Sequence, residues 1–286
     1  MDKNGFQYKF LDDLKKIIKT ESKHQSKVLL LSGGIDSFLL LVLLIDLFDI
    51  KNITTYTISC KETYDKFWSI KTTEYFDVKH YIYILSPEKI YNNIHLAYNT
   101  NLTKTFYFYD YILLKLLFSH FNIKNSDIFW GEGADRLYGS TNKFIYFNTR
   151  KLSQINKWDI ISTKNYLKTQ FFQKPQSKDI SIICELMREN GNNVISPYRH
   201  KEISWVNKIP FDIISPQNKR FVKDALVKYY YLPKNFVNRK RTWMELGTGG
   251  YKEFENYLKT KYGYISKNLN SITKYLCSNY KYQSLF

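Results

Sequence analysis

Apolar side chains recur at helical spacing from Phe6 to Thr20 (Phe6, Phe10, Leu11, Leu14, Ile17, Ile18), which predicts an amphipathic opening helix. The pattern then changes period. Lys27 to Leu31 is a short β-branched and leucine run that passes through Ser32-Gly33-Gly34 into an apolar stretch ending near Phe48, long enough for a buried helix. The alternation repeats with a strand at Ile53 to Ser59, a helix at Tyr64 to Phe76, a strand at Lys79 to Leu85, helices at Pro87 to Ala97 and Thr105 to Phe121, and a strand at Asp127 to Trp130. Strands alternating with helices predict right-handed crossovers and an α/β fold, a parallel sheet with helices on both faces. From about Ser140 the strand signal fades, and helical segments punctuated by Pro175, Pro197, Pro210, Pro216 and Pro233 take over. We therefore expect an α/β part over 1–140 and a mainly helical part over 141–286, sharing one interface or forming one continuous domain.

With 286 residues and 44% hydrophobic content the chain can bury a core of this kind, which excludes wholesale disorder. Lys+Arg 43 against Asp+Glu 26 gives a formal net charge of +17, a balance that points to polyanions. Only seven of those basic residues are Arg, and the chain is also crowded with Lys, Asn, Ile and Tyr, as AT-rich coding sequence produces without a selected partner. Nucleic acid is therefore a disfavoured partner. Cys60, Cys184 and Cys277 are far apart, odd in number and in no metal-ligand spacing, which fits a reducing, cytoplasmic location. The start carries no apolar signal-peptide run, and Phe38 to Ile45 is closed by Asp46 too soon to span a bilayer, so no membrane role is expected.

The first chemical constellation is Ser32-Gly33-Gly34-Ile35-Asp36-Ser37, between a strand and a helix. Two glycines let backbone wrap an anion, the helix N-terminus supplies N–H groups and a positive dipole end, and the serine hydroxyls add donors. Asp36 cannot attract a phosphate itself. A carboxylate there suits a Mg²⁺ ligand bridging phosphate oxygens, or a favourable charge on the helix dipole. The loop lacks the lysine of a Walker A motif, so a P-loop NTPase is excluded.

This loop resembles the SGGxDS loop of the PP-loop ATP pyrophosphatases, which split ATP into AMP and pyrophosphate while adenylating an oxygen of their substrate. The resemblance implies an adenine nucleotide alpha hydrolase-like fold, with ATP and Mg²⁺ as cofactors. A second segment, Gly131-Glu132-Gly133-Ala134-Asp135-Arg136-Leu137-Tyr138-Gly139, follows the fourth strand and is similar to the SGEGADELFGG segment of asparagine synthetases. By that resemblance Asp135 joins Asp36 as a metal ligand, Glu132 lies near the acyl-adenylate and the incoming amine, and Ser32, Gly33, Gly34, Ser37 and Gly131 surround the nucleotide. Arg136 departs from the usual glutamate. A glycine turn with acidic helix caps is the plain structural alternative for both segments.

A third stretch, Asn218 through Leu232-Pro233 to Arg239-Lys240-Arg241 and Gly247-Thr248-Gly249-Gly250, looks like the closing part of the synthetase domain, where LPxxxxxRxK precedes a glycine-rich loop over pyrophosphate. The family's catalytic lysine falls on Arg241, with Lys240 one position away. Arg holds phosphate oxygens but cannot release its proton. Residues 217–267 hold 12 basic and 4 acidic residues, a net of +8, which suits pyrophosphate, a polyanionic partner or simply a solvated face. Upstream, Asn193 and His200 replace the Glu and Asp of an ExRxPFLD-like element, which implies altered substrate-side chemistry, and His200 is either a proton carrier or a surface residue.

Asparagine synthetases begin with a glutaminase domain whose first residue after Met is Cys. Asp2 stands there in this chain, and the sequence leaves no room for that domain before Ser32. The expectation is thus an AMP-forming amide or lactam ligase acting on a small molecule or peptide with a carboxylate and an amine, the amine coming from ammonia, the substrate or a separate partner protein. The alternatives are an adenylating enzyme that modifies tRNA and a nucleotide-binding scaffold that does not complete catalysis.

Overall fold

The computed structural model describes residues 2–97, 100–102, 105–137, 154, 156, 159–173, 177–214, 219–238 and 250–262. Its first helix, α1 (Lys3–Glu21), starts where the Asp2 carboxylate accepts from the Gly5 N–H at 2.8 Å, and it buries Phe10, Leu11, Leu14, Ile17 and Ile18. The alternation predicted from the sequence follows: β1 (Lys27–Leu30), α2 (Ile35–Leu47), β2 (Ile53–Ser59), α3 (Tyr64–Phe76), β3 (Lys79–Ile84), α4 (Pro87–Asn92), α5 (Thr105–Phe121) and β4 (Asp127–Phe129). After the short α6 (Ala134–Leu137), the chain continues through α7 (Ile160–Gln173), α8 (Lys178–Arg188), β5 (Asn193–Ile195), α9 (Arg220–Tyr230) and α10 (Gly250–Tyr262).

The five strands form one sheet in the order β3-β2-β1-β4-β5, with every neighbour parallel. The reversal of order at β1 is the switch point at which such sheets bind ligands, outside the carboxyl ends of β1 and its neighbours. Side chains alternate across the sheet: Leu29, Phe129 and Ile195 join the core on the side of α1, α2 and α9, whereas Val28 and Ile128 join the core on the side of α4, α5 and α8. Helix α2 is buried from Ile35 to Leu44 apart from Asp36, because α1 and α9 cover the side turned away from the sheet. That explains why its apolar run shows no polar face.

Strand β5 lies within the part expected to be mainly helical. Its three residues pair with β4 in the register Asp127↔Asn193, Ile128↔Val194 and Phe129↔Ile195, so the sheet extends into the later half of the chain. Three residues beginning with Asn carry almost no periodicity. The available cues were the β-branched pair Val194-Ile195 between Gly191, at φ 76°, and Pro197.

Among the described residues no helix is long and apolar enough to cross a membrane.

Candidate functional site

The turn after β1 is shaped by two different glycines. Gly33 has φ 71°, and a Cβ there would lie 2.3 Å from the Asp65 carbonyl oxygen at the start of α3, so backbone and neighbour both require glycine. Gly34 has an ordinary φ of −74° and caps α2, and a Cβ would meet only Ser32 Oγ at 3.3 Å. Its missing side chain leaves space over the first N–H groups of α2, which have no partner within the helix. Ser37 Oγ donates to the Gly34 carbonyl at 3.2 Å and lies 3.1 Å from Ser32 Oγ, closing the loop on itself.

The turn after β4 meets this loop face to face. A Cβ on Gly131 would stand 3.5 Å from Asp36 Cβ, so the two segments are in van der Waals range. Leu137 N–H bonds the Gly133 carbonyl at 2.9 Å, which starts α6 and carries Asp135 on its first turn. The loop after β5 ties the two together: the Tyr198 hydroxyl donates to the Asp36 carbonyl at 2.8 Å, and the Ser196 hydroxyl donates to the Glu132 carbonyl at 2.6 Å.

Asp36 and Asp135 converge on one cation. Lys219 Nζ pairs with Asp36 Oδ2 and lies 2.7 Å from Asp135 Oδ1, with its side chain 8% exposed. Lys219 precedes α9 at φ 56°, and α9 is set against α1 by Gln7 Nε2, which donates to the Phe221 carbonyl at 2.7 Å, and by the Phe10–Phe221 ring contact. Burial works against the lysine's charge, but the carboxylates of Asp36 and Asp135 outweigh it and hold the ammonium above the usual lysine range. Lys219 was one lysine among many in a basic stretch, and nothing in the sequence singled it out.

Two carboxylates close enough to share one ammonium also fit Mg²⁺, which binds through one or two carboxylates together with substrate phosphates. Among the described residues no group of three or more His, Cys, Asp or Glu is placed to hold a metal alone, so such an ion would draw its remaining ligands from phosphate and water. Asp36 and Asp135 are the residues that would hold it.

Beside the loops lies a cavity of about 220 Å³, lined by residues at the carboxyl ends of β1 and β2, by one face of α5 and by Trp130, Gly131 and Glu132. Its walls are mainly apolar, including Tyr56, Ile58, Leu114 and Leu117, while Ser32, Asp36 and Ser37 form the polar end. The Tyr107 phenol is pushed well above its usual range by burial and by the Glu132 and Asp110 carboxylates, so it lines the cavity in its neutral, protonated form.

Of the sequence-predicted residues, Ser32, Gly33, Gly34, Asp36, Ser37, Gly131, Glu132 and Asp135 come together here. Lys240, Arg241, Gly247 and Gly249 lie outside the described residues, as does the side chain of Arg136. Asn193 and His200 belong elsewhere. Asn193 begins β5 at the opposite end of the sheet, where its amide donates to Asp127 Oδ1 at 2.9 Å and to the Glu21 carbonyl at 2.8 Å. His200 Nε2 stands 3.5 Å from Glu21 at the end of α1. Asn193 thus bonds at the amino end of the sheet, and His200 lies beside the end of α1. Arg199, between Tyr198 and His200, reaches Glu132 instead, at 2.8 Å.

A sequence profile described as asparagine synthase matches residues 22–209. No curated protein sequence matches the chain with significance. Three solved structures, each 14% identical, are similar in outline: an NH3-dependent NAD synthetase from Campylobacter jejuni (TM-score 0.42, covering 99% of this chain and 96% of that one), an NMN synthetase from Francisella tularensis (0.43, 98% and 94%) and a tRNA thiolase from Methanococcus maripaludis (0.41, 96% and 78%).

Proposed function

The chain belongs to the asparagine synthase family, and on that premise we propose that it is an ATP-dependent, AMP-forming ligase that adenylates a substrate carboxylate and passes the acyl group to an amine. The observation that carries this reading is the convergence of Asp36 and Asp135 on one buried cation beside the Gly33-Gly34 turn. That arrangement sets paired carboxylates, a lysine and a helix N-terminus around one point, at the polar end of a mainly apolar cavity.

In this reading the adenine lies in the cavity among Tyr56, Ile58, Leu114 and Leu117, and the phosphates reach out toward the Ser32–Ser37 loop. Backbone N–H groups at the start of α2 hold phosphate oxygens where the helix dipole favours negative charge. Mg²⁺, when bound by Asp36 and Asp135, neutralises phosphate charge. Lys219 supplies a further positive charge from within the protein, and Arg241 or Lys240, with Gly247 and Gly249, closes over the leaving pyrophosphate. The acyl carboxylate attacks the α-phosphorus and pyrophosphate leaves. The amine then forms a C–N bond to the acyl carbon, AMP departs with the oxygen, and Glu132 accepts the amine proton. Positioning and charge stabilisation supply most of the acceleration, since each fixed charge or donor of this kind contributes about 10²–10³-fold.

The substrates are a small molecule or peptide bearing the carboxylate, and an amine that is free ammonia, a group on the same substrate or the product of a separate partner protein. The test is a panel of amino acids and dicarboxylic acids incubated with ATP, Mg²⁺ and hydroxylamine. A hydroxamate formed with one acid and stoichiometric with AMP supports the reading, whereas acid-independent loss of ATP refutes it.

A further inference from the structure

Glu132 is held by the loop after β5 at two points. The Ser196 hydroxyl bonds its backbone carbonyl at 2.6 Å, and Arg199 Nη1 donates to its Oε1 at 2.8 Å. The pair is half-sheltered, with side-chain exposures of 16% for Arg199 and 32% for Glu132. Gly133 makes the approach possible: at φ 93° it takes a conformation that L side chains rarely adopt, and a Cβ there would lie 2.5 Å from Arg199 Cγ. The glycine after Glu132 thus serves the arginine's path as well as the turn.

We infer that Arg199 is a positioning residue for Glu132, fixing one carboxylate oxygen at the cavity so that Glu132 takes the proton of the attacking amine. This rests on the role given to Glu132 above. The surroundings explain why a cation is needed. Tyr107 of α5 feels the charges of Glu132, Asp110, Asp179 and Arg199, and Cys184 of α8 those of Glu132, Glu185, Arg188 and Arg199. Glu132 thus stands in a region with three further carboxylates and two guanidiniums. Like charges disfavour an ionised carboxylate, and a directly bonded guanidinium favours it and fixes its orientation. Proton transfer balances simply: the C–N bond forms, the acyl C–O bond to AMP breaks, and the proton leaving nitrogen is received by Glu132.

The test combines a spectroscopic and a kinetic readout on the full chain. With ¹³C-labelled glutamate carboxylates, the Glu132 signal is assigned from its loss in Glu132→Gln. Arg199→Met is expected to raise the Glu132 midpoint by about one pH unit, and Arg199→Lys is expected to restore most of it. Both amines lose a proton as the C–N bond forms, but at pH 7 ammonia is mostly ammonium and must lose one more before it attacks, whereas hydroxylamine is largely neutral. Arg199→Met should therefore lower amide formation from ammonium at least about tenfold more than hydroxamate formation. An unmoved Glu132 titration, or equal losses with both amines, overturns the inference. If the wild-type protein forms no AMP with any acid, the ligase reading falls, and the titration alone still decides whether Arg199 controls Glu132.

Discussion

Lys219 Nζ lies 2.7 Å from Asp135 Oδ1 while also pairing with Asp36, so one buried ammonium joins the loop after β1 to the turn after β4. In the proposed reading a divalent cation would compete with this lysine for the same two carboxylates, and phosphate oxygens would offer the lysine another partner, coupling metal binding to nucleotide binding.

Replacing Lys219 with Met should therefore loosen that coupling. Mn²⁺, followed by electron paramagnetic resonance, should bind Lys219→Met without nucleotide at least about tenfold more tightly than it binds the wild type, because an uncompensated carboxylate pair is costly and a metal relieves it. AMP formation should fall about 10²–10³-fold, the loss expected when one stabilising charge is removed. Unchanged Mn²⁺ affinity would show that lysine and metal do not compete.

At the other end of the sheet, Asp127 is buried and accepts from the Lys23 and His24 N–H groups at 3.0–3.1 Å, from Lys27 Nζ at 2.7 Å and from Asn193. Burial raises its pKa, but the Lys27 ammonium, the Asn193 amide and the two N–H groups more than offset this and leave it below the usual range. A carboxylate depressed in the folded state contributes stability above its unfolded pKa of about 3.9, and that contribution is lost as pH falls through the folded value. Thermal melts should therefore lose stability below about pH 4 in the wild type and far less steeply in Asp127→Asn. At pH 7 that variant should be about 3 kcal/mol less stable, since Lys27 is left buried without its carboxylate.

The alternation of strand-like and helical segments in the sequence was enough to predict the first four strands and the helices between them. It did not reveal β5, whose only strand cue is the pair Val194-Ile195, or the anchor role of Lys219, whose importance comes from α9 packing on α1 through Gln7 and Phe221. The two glycine turns were visible as motifs. Their partners were not: Asp65 against Gly33 and Arg199 against Gly133 are contacts between segments distant in sequence. Motif spacing aligned Asn193 and His200 with a substrate element of the family, and only the structure shows that they face Asp127 and Glu21.

The substitution of arginine for the family's lysine at position 241 gives a further prediction, made from the sequence motif. Arg241→Ala should abolish amide formation while weakening ATP binding only modestly, and Arg241→Lys should retain part of the activity, because the group acts by charge and not by proton transfer. Calorimetric ATP titration beside product assays separates the two effects. Wild-type product formation by Arg241→Ala would transfer the role to Lys240.

Cleavage of ATP between its α- and β-phosphates defines the proposed reaction. The direct measurement is ³¹P nuclear magnetic resonance of the spent nucleotide after turnover with Mg²⁺ and the acid that supports hydroxamate formation. Equal amounts of AMP and pyrophosphate, absent in Asp36→Asn, are the expected result; ADP with orthophosphate would contradict it.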